Sequence, residues 1–285
     1  MIWKENERLQ LQDASPVGCR KLGLQGRSNM ADQYDEKYTQ SSSPGRDAQG
    51  DPSWKVKALF IYPIKSCGHV ELDHSDVLRT GLAYDRQFAF AQLISPKPEQ
   101  QSDGTWTVAH RWETVTIRGL ARMTQVKTEV WIPDPKSSTY SSDAKYVKSQ
   151  GCIVVKFPFV PDLDFSIEGF QNWCTLMAAK VAARSFSAEP MVTFRVPFMP
   201  TKPYPMEKMK IWRENPESLN MESEIGLENL AKLRYFLGLS NPLTLFRVDP
   251  ANFRKLYKCA PRETEVGYQP VVGFSDSVCK NQKSP

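Results

Sequence analysis

Short runs of alternating apolar and polar residues dominate the first half of the chain and predict β-strands. In the first run, 54–62, every second residue from Val56 to Tyr62 is apolar and would face one side of a sheet. Further strands are predicted where β-branched and aromatic residues concentrate, at 87–93, 106–110, 123–132 and 152–157. Loops rich in proline, serine and glycine separate them. Several short strands with regular turns indicate a barrel or a sandwich.

Two later segments follow the 3.6-residue period of an amphipathic helix. In 167–185 the apolar residues form one stripe, made of Phe170, Trp173, Cys174, Met177, Ala178 and Val181. Cys174 lies on that stripe, so we expect a small buried side chain there rather than a nucleophile. Four leucines from Leu227 to Leu237 predict a second helix that ends at Gly238. Asp249, as an N-cap before Pro250, predicts a short third helix.

Both ends of the chain are polar. Residues 1–53 are rich in Ser, Gln, Asp, Arg and Gly and show almost no apolar periodicity. Such a composition cannot bury enough apolar surface to offset the entropy of the chain, so disorder is predicted here, with folding from Trp54 onward. At the other end, 266–274 reads as a turn and a strand before the sequence becomes polar.

Composition narrows the classes of function. The net charge of +5 suits an anionic ligand or a membrane surface, and the lack of a basic stripe with interleaved aromatic residues argues against nucleic-acid binding. Six cysteines without a CxxC pair indicate reduced thiols in a reducing intracellular compartment, either the cytoplasm or the mitochondrial surface. The three histidines have no partners at zinc-site spacing. No stretch approaches the roughly 20 apolar residues of a membrane helix.

Lys65 and Ser66 place a cation and a hydroxyl just after the first predicted strand. Pro63 cannot donate to a β-ladder, so it should end the pairing, and Gly68 permits a turn. A lysine charge and a serine donor at a strand end are suited to an anion. The run is not a P-loop, because Phe60 and Ile64 occupy the required glycine positions. An anion site and an ordinary strand exit with a solvated lysine both stay open.

This run also resembles the opening of the MOSC-domain family, in its N-terminal β-barrel domain. That family includes the mitochondrial amidoxime-reducing components and the C-terminal half of the molybdenum cofactor sulfurases. The similar segments are Tyr-Pro-Ile-Lys-Ser-Cys-Gly at 62–68, Val-Glu-Leu at 70–72, Thr-Gly-Leu-Ala-Tyr-Asp-Arg-Gln-Phe at 80–88, Gly-Cys-Ile-Val-Val-Lys-Phe at 151–157, Phe-Arg-Val-Pro at 194–197 and Leu-Phe-Arg-Val-Asp at 245–249. The resemblance implies a β-rich α+β fold. Its expected parts are a disordered segment (1–53), the barrel domain (54–190), a helical and loop insertion (191–262) and a truncated start of the MOSC domain (263–285).

The resemblance implies the molybdenum cofactor, a molybdopterin that ends in a phosphate, as the ligand. By motif position, Lys65 and Ser66 would bind that phosphate. Arg111 corresponds less closely, because the family pattern Thr-x-Arg-Gln stands here as Ala-His-Arg-Trp. The alternative for Arg111 is a surface strand residue beside Trp112. The family ligates its metal through a MOSC-domain cysteine expected beyond Pro285, so no catalytic or metal-ligating residue is predicted in this chain.

The family further implies an oxidoreductase that acts on N-hydroxylated compounds and takes electrons from a cytochrome b5-type protein. We expect this chain to be a truncated, inactive form that does not retain the cofactor, since the resemblance breaks after Ser277. One alternative is a protein related to the molybdenum cofactor sulfurtransferases, which normally carry a pyridoxal-phosphate-binding domain upstream. Residues 1–53 are too short for such a domain, which favours the reductase. The other alternative is a non-catalytic anion- or cofactor-binding module.

Overall fold

The computed structural model describes residues 15–34, 45–46, 49–50, 52–53, 56–78, 80–160, 165–186, 189–212 and 214–249. The strand predicted at 266–274 and the helix predicted after Asp249 lie outside these residues. The strands up to the middle of the chain are β1 (Cys19–Leu22), β2 (Gly45–Arg46), β3 (Pro52–Ser53), β4 (Leu59–Ile61), β5 (Val70–Leu72), β6 (Val77–Leu78), β7 (Gly81–Leu82), β8 (Phe88–Ile94), β9 (Glu99–Gln100), β10 (Trp106–Thr107) and β11 (Arg111–Thr114).

The second half of the described chain mixes strands with helices. Its strands are β12 (Lys127–Pro133), β13 (Cys152–Pro158), β14 (Met191–Pro197), β15 (Met206–Lys210), β16 (Glu217–Asn220) and β17 (Leu243–Val248). The helices are α1 (Lys145–Lys148), α2 (Ile167–Ala182), α3 (Glu222–Ile225) and α4 (Leu227–Leu237), and a 3-10 turn covers Ala121–Gln125. The predicted end of α4 is confirmed, because Gly238 adopts the left-handed conformation with φ of 73°.

Five strands close into a barrel in the order β11, β15, β16, β17, β8. β11 and β15 run parallel, and the other neighbours run antiparallel. Along β8, Phe88 and Phe90 pack into the main core, whereas Ala89 and Ala91 join Phe246 in a second cluster built from barrel strands. Small residues beside a large one fill the narrow space that a small barrel encloses. The expectation of a β-rich barrel fold is therefore confirmed.

A four-stranded antiparallel sheet, ordered β1-β12-β13-β14, supplies much of the main core. β13 is almost continuously apolar, and Ile153, Val155 and Phe157 are fully buried in it. Leu233 of α4 and Leu245 of β17 belong to the same cluster. The core therefore joins the sheet, the barrel and α4, and side chains of this size each stabilise the fold by roughly 1.5–3 kcal/mol when fully buried.

β1 overturns the expectation that residues 1–53 are disordered throughout. It pairs with β12 from Cys19↔Pro133 to Leu22↔Val130, Cys19 is buried, and Leu22 packs against the main core. A strand of four residues, Cys-Arg-Lys-Leu, is too short to show a periodic pattern. The neighbouring β12 provides the hydrogen bonds and the apolar surface that the sequence of β1 does not reveal.

Replacing Leu22 with serine should lower the free energy of unfolding by about 1–2 kcal/mol, because a half-buried leucine loses its apolar contacts. Arg20→Ser is the matched control, since Arg20 is exposed in the same strand and its loss should change stability by less than about 0.5 kcal/mol. Urea unfolding measures both variants. Equal stability of the two would mean that β1 does not contribute to the fold in solution.

The second half of the chain contributes strands to the barrel. Residues 191–262 are expected to form a helical and loop insertion, and within them β15, β16 and β17 supply three of the five barrel strands. Met206–Lys210 and Glu217–Asn220 mix charged and apolar residues and contain no valine, isoleucine or threonine. Strand propensity therefore could not identify them, and their pairing partners determine their structure.

α2 begins at the predicted residue and ends at Ala182, three residues before the predicted end, and most of its apolar stripe is exposed. Ser166 caps the helix by accepting a hydrogen bond from the Gly169 amide at 3.0 Å. Cys174, predicted to be buried, is exposed. The apolar periodicity predicted the helix, but it did not show which side of the helix packs against the rest of the protein. Among the described residues, no helix combines the length and the apolar character needed to cross a membrane.

Candidate functional site

The Lys65–Ser66 turn is attached to the first residue of β8. Pro63 ends the pairing of β4 as predicted, and the next residue, Ile64, is fully buried and forms a parallel bridge with Phe88. The Lys65 amide donates to the Phe88 carbonyl oxygen at 2.8 Å. Lys65 and Ser66 themselves are half-buried. A buried neighbour and a backbone hydrogen bond therefore fix where the cation and the hydroxyl lie.

The turn takes its left-handed residue from Ser66 rather than from Gly68. Ser66 has φ of 68°, which is unfavourable for a residue with a Cβ. Gly68 is needed for close packing instead, because a Cβ there would lie 3.1 Å from the carbonyl oxygen of Val126, to which the Gly68 amide donates. Functional sites often retain residues in strained backbone conformations, and Ser66 is such a residue beside a lysine.

A second turn, Tyr84–Arg86, is joined to the first by hydrogen bonds. The Tyr62 amide donates to Asp85 Oδ1 at 2.7 Å, and the Arg86 amide donates to the Tyr62 carbonyl oxygen at 2.8 Å. An ion pair lies within this turn, with 3.5 Å between Arg86 Nη1 and Asp85 Oδ2. Tyr84 and Arg86 are also left-handed, with φ of 65° and 49°. The Lys65 turn and the Tyr84 turn thus bring together three non-glycine residues with positive φ.

Arg247 adds a buried cation at the same end of β8. It pairs with Phe88 across β8 and β17, and its guanidinium carbon lies 5.7 Å from the Phe88 ring centroid. Its Nη1 donates to the Val248 carbonyl oxygen at 2.9 Å. A buried guanidinium is unfavourable without hydrogen-bond acceptors or anions around it. In the sequence, the signal for Arg247 is a cation inside an apolar strand, and that signal does not connect it to the Lys65 turn.

Arg111 is not part of this arrangement. It pairs with Ile94 at the far end of β8, whereas Lys65 is bonded at Phe88. At about 3.3 Å per residue, the two ends of β8 are roughly 20 Å apart. The Arg111 Nε donates to Glu113 Oε1 at 2.8 Å on the surface. The structure therefore does not bring Arg111 together with Lys65 and Ser66, and Arg111 lies on the surface of β11.

The thiols near the site are buried and neutral. Cys67 follows Ser66 directly, is 3% exposed, and burial raises its pKa far above the ordinary value. Burial likewise raises the pKa of Cys152 and of Cys19. Cysteine ligates a metal as the thiolate, which these raised pKa values disfavour, and residues 15–249, as far as they are described, hold no group of three His, Cys, Asp or Glu side chains that could bind a metal. The described site thus suits an anion better than a metal.

A cleft of about 300 Å³ opens beside His69, just past the turn. Its lining includes Lys21, Gly23, Ser28, His69, Glu71 and Thr128. The His69 ring is held edge-on against Phe60, with 4.7 Å between the ring centroids. The cleft is at the lower end of the volume range of small-molecule sites. The cleft could not be predicted from the sequence, because Lys21 and Ser28 belong to the segment predicted to be disordered.

Comparison with known families identifies the domain that carries the two turns. Residues 53–189 match the model of the MOSC N-terminal beta barrel domain. No curated protein matches the chain. The match includes Lys65, Ser66 and Arg86, and it ends before β15, β16 and β17. The resemblance seen in the 62–88 motifs is thereby confirmed.

Proposed function

The chain carries a MOSC N-terminal beta barrel domain, a domain that fits a role connected with the molybdenum cofactor, and from this premise we propose that the Lys65 turn binds the phosphate end of that cofactor. The observation that carries the proposal is that backbone hydrogen bonds and strand pairing place Lys65, Ser66, Arg86 and Arg247 at the start of β8, beside Phe88. Three cations and a hydroxyl at one strand end match the charge and the hydrogen-bonding capacity of a phosphate.

The chemistry of the side chains assigns each a part in holding the phosphate. The Lys65 ammonium supplies a point charge, and the Ser66 hydroxyl donates to a phosphate oxygen. Arg86, whose side chain is 64% exposed, supplies a guanidinium that can turn toward a ligand. Arg247 is buried and contributes positive potential behind the Phe88 ring. Charge-assisted hydrogen bonds contribute roughly 1.5–3 kcal/mol each, against an association cost on the order of 4–15 kcal/mol.

The described residues fit the phosphate end of the cofactor and not its metal end. The cofactor would supply redox chemistry at its metal, and Cys67, the cysteine beside the turn, is a buried thiol that does not suit a metal ligand. This part of the chain therefore binds and orients. We extend the proposal to the activity that the resemblance implies, reduction of N-hydroxylated compounds with electrons from a cytochrome b5-type protein. A sulfurtransferase-related protein is the alternative enzyme.

A non-catalytic anion-binding module is the second candidate. The Lys65 turn supports it without any further group, because binding a phosphate does not need the buried thiol of Cys67. The two candidates share the Lys65 turn and differ in whether a pterin is bound. The pterin content of purified protein distinguishes them: an oxidised pterin that fluoresces supports the cofactor, and its lack together with phosphate binding supports the module.

Lys65→Ala should remove most of the stabilisation that inorganic phosphate gives the protein, because one charge-assisted interaction is lost. We expect the apparent phosphate affinity to fall about tenfold or more, with little change in the melting temperature without phosphate. Thermal unfolding at increasing phosphate concentration measures both. Arg111→Ala is the matched control and should behave like the unmodified chain. A wild-type chain that phosphate does not stabilise, or equal losses in the two variants, would rule out the anion site.

A further inference from the structure

Asp85 contacts both turns of the candidate site. Its Oδ1 accepts a hydrogen bond from the Tyr62 amide at 2.7 Å, and its Oδ2 lies 3.5 Å from Arg86 Nη1. The Asp85 side chain is only 20% exposed, against 64% for Arg86. One carboxylate thus holds both the backbone that leads into the Lys65 turn and a cationic side chain of the Tyr84 turn.

The Arg86 guanidinium is restricted from two sides. Besides the Asp85 carboxylate, the Tyr62 ring packs against it, with 5.6 Å between Arg86 Cζ and the ring centroid. The backbone is held as well, because the Arg86 amide donates to the Tyr62 carbonyl oxygen at 2.8 Å. A long, mostly exposed side chain normally keeps much of its rotamer freedom. Here a charge and a ring reduce that freedom before any ligand binds.

We propose that Asp85 is a positioning residue of the phosphate site: it orders the Arg86 guanidinium before the phosphate binds, and it keeps the Tyr84 turn attached to the Lys65 turn. This role rests on the proposed function, in which a phosphate binds at the Lys65 turn. Ordering a flexible side chain on binding costs free energy, so a guanidinium that is already ordered contributes more to affinity. Asp85 therefore acts through Arg86 and through the backbone of Tyr62, without contact to the phosphate.

A carboxylate beside an anion site can also compete with the anion for the cation, but the contacts of Asp85 favour positioning. Its ion pair engages one guanidinium nitrogen, Nη1, and a guanidinium has five N–H donors, so other donors are left for a ligand. At 3.5 Å the pair is also longer than a charge-assisted hydrogen bond, and Oδ1 is engaged by a backbone amide. A bidentate pair, which would block the guanidinium, is not what these contacts form.

A double-mutant cycle between Asp85 and Arg86 tests this role, with thermal unfolding of the full chain at increasing concentrations of inorganic phosphate as the measurement. Asp85→Asn keeps an oxygen that can accept from the Tyr62 amide but removes the charge that orders Arg86. We expect it to lower the apparent phosphate affinity about fivefold, and by no more than about twofold in the Arg86→Ala background. Glu113→Gln is the matched control, because Glu113 forms the corresponding pair with Arg111 on β11 and should leave phosphate affinity unchanged.

Asp85→Ala tests the contact with the Tyr62 amide. This variant removes the acceptor as well as the charge, so it leaves a backbone N–H unpaired where the two turns meet. We expect its phosphate affinity to fall at least about twofold below that of Asp85→Asn, with a lower melting temperature in the absence of phosphate. Equal phosphate affinities of the two variants would show that this contact has no part in binding.

Three results would contradict the positioning role and still leave the anion site in place. If Asp85→Asn raises phosphate affinity in both backgrounds, Asp85 only repels the anion. If it lowers the melting temperature without phosphate but leaves the affinity unchanged, its role is purely structural. An equal fall in both backgrounds would show that Asp85 does not act through Arg86. An unmodified chain that phosphate does not stabilise would instead overturn the anion site, and the role of Asp85 with it.

Discussion

Gly151→Ala should lower the free energy of unfolding by about 3 kcal/mol or more, a large effect for the addition of one methyl group. Two independent costs combine. Gly151 has φ of 110°, a conformation that is strained for alanine, and a Cβ there would lie 2.3 Å from the carbonyl oxygen of Trp131. That oxygen belongs to β12, so it cannot move without disturbing the β12–β13 pairing on which the main core rests.

Gly104→Ala separates the cost of backbone strain from the cost of the steric clash between the added Cβ and a neighbouring atom. Gly104 also has positive φ, 84°, but nothing lies within 4 Å of an added Cβ there. Its replacement should cost only about 1 kcal/mol, from backbone strain alone. Urea unfolding of the two variants measures the difference. Losses of equal size would show that β12 relaxes away from residue 151 and that the collision adds nothing.

The sequence could predict those strands and helices whose own residues have the composition and spacing typical of the element. β8 and β13 are rich in phenylalanine, valine and isoleucine, and α4 has leucines at helical spacing followed by Gly238, so their positions were recognisable. β1, β15 and β16 are short and mixed in polarity. They are strands because a neighbour in the sheet or barrel pairs with them, and pairing partners do not appear in local periodicity.

In the candidate site, too, some features could be predicted from the local sequence and others depend on strand pairing. Pro63 and Lys65 revealed a strand end with a cation, and motif resemblance placed the Tyr84 turn in the same domain. The separation of Arg111 from the Lys65 turn follows from the register between β8 and β11, which sets Arg111 opposite Ile94 rather than Phe88. The contribution of Arg247 depends on the closure of the barrel, which sets β17 beside β8. Both facts concern long-range pairing, and a single sequence does not encode them in any pattern that can be read locally.

Outside the candidate site, Glu224 carries a large part of the pH dependence expected of the fold. Its carboxylate accepts hydrogen bonds from Lys145 Nζ at 2.8 Å, Lys202 Nζ at 2.9 Å and Tyr204 Oη at 2.9 Å, and its side chain is only 4% exposed. Burial by itself raises the pKa of Glu224, but these three donors outweigh it and lower the pKa from 4.5 to about 2. Because the folded pKa lies below the unfolded value, the stabilisation is complete above pH 4.5 and is lost as the pH falls toward 2.

Glu224→Gln should therefore reduce the free energy of unfolding by about 3 kcal/mol at pH 7, since it removes the charge and leaves Lys145 and Lys202 facing an amide. Below pH 4.5, the difference between the variant and the unmodified chain should narrow by about 1.4 kcal/mol per pH unit. Glu228→Gln is the matched control: Glu228 pairs with Lys232 on the surface of α4, and the loss of that pair should cost about 0.5 kcal/mol. Urea unfolding at pH 7, 5 and 3.5 measures all three proteins. A difference that stays constant from pH 7 to 3.5 would mean that Glu224 contributes through packing rather than charge, because only an ionised carboxylate loses its advantage on protonation.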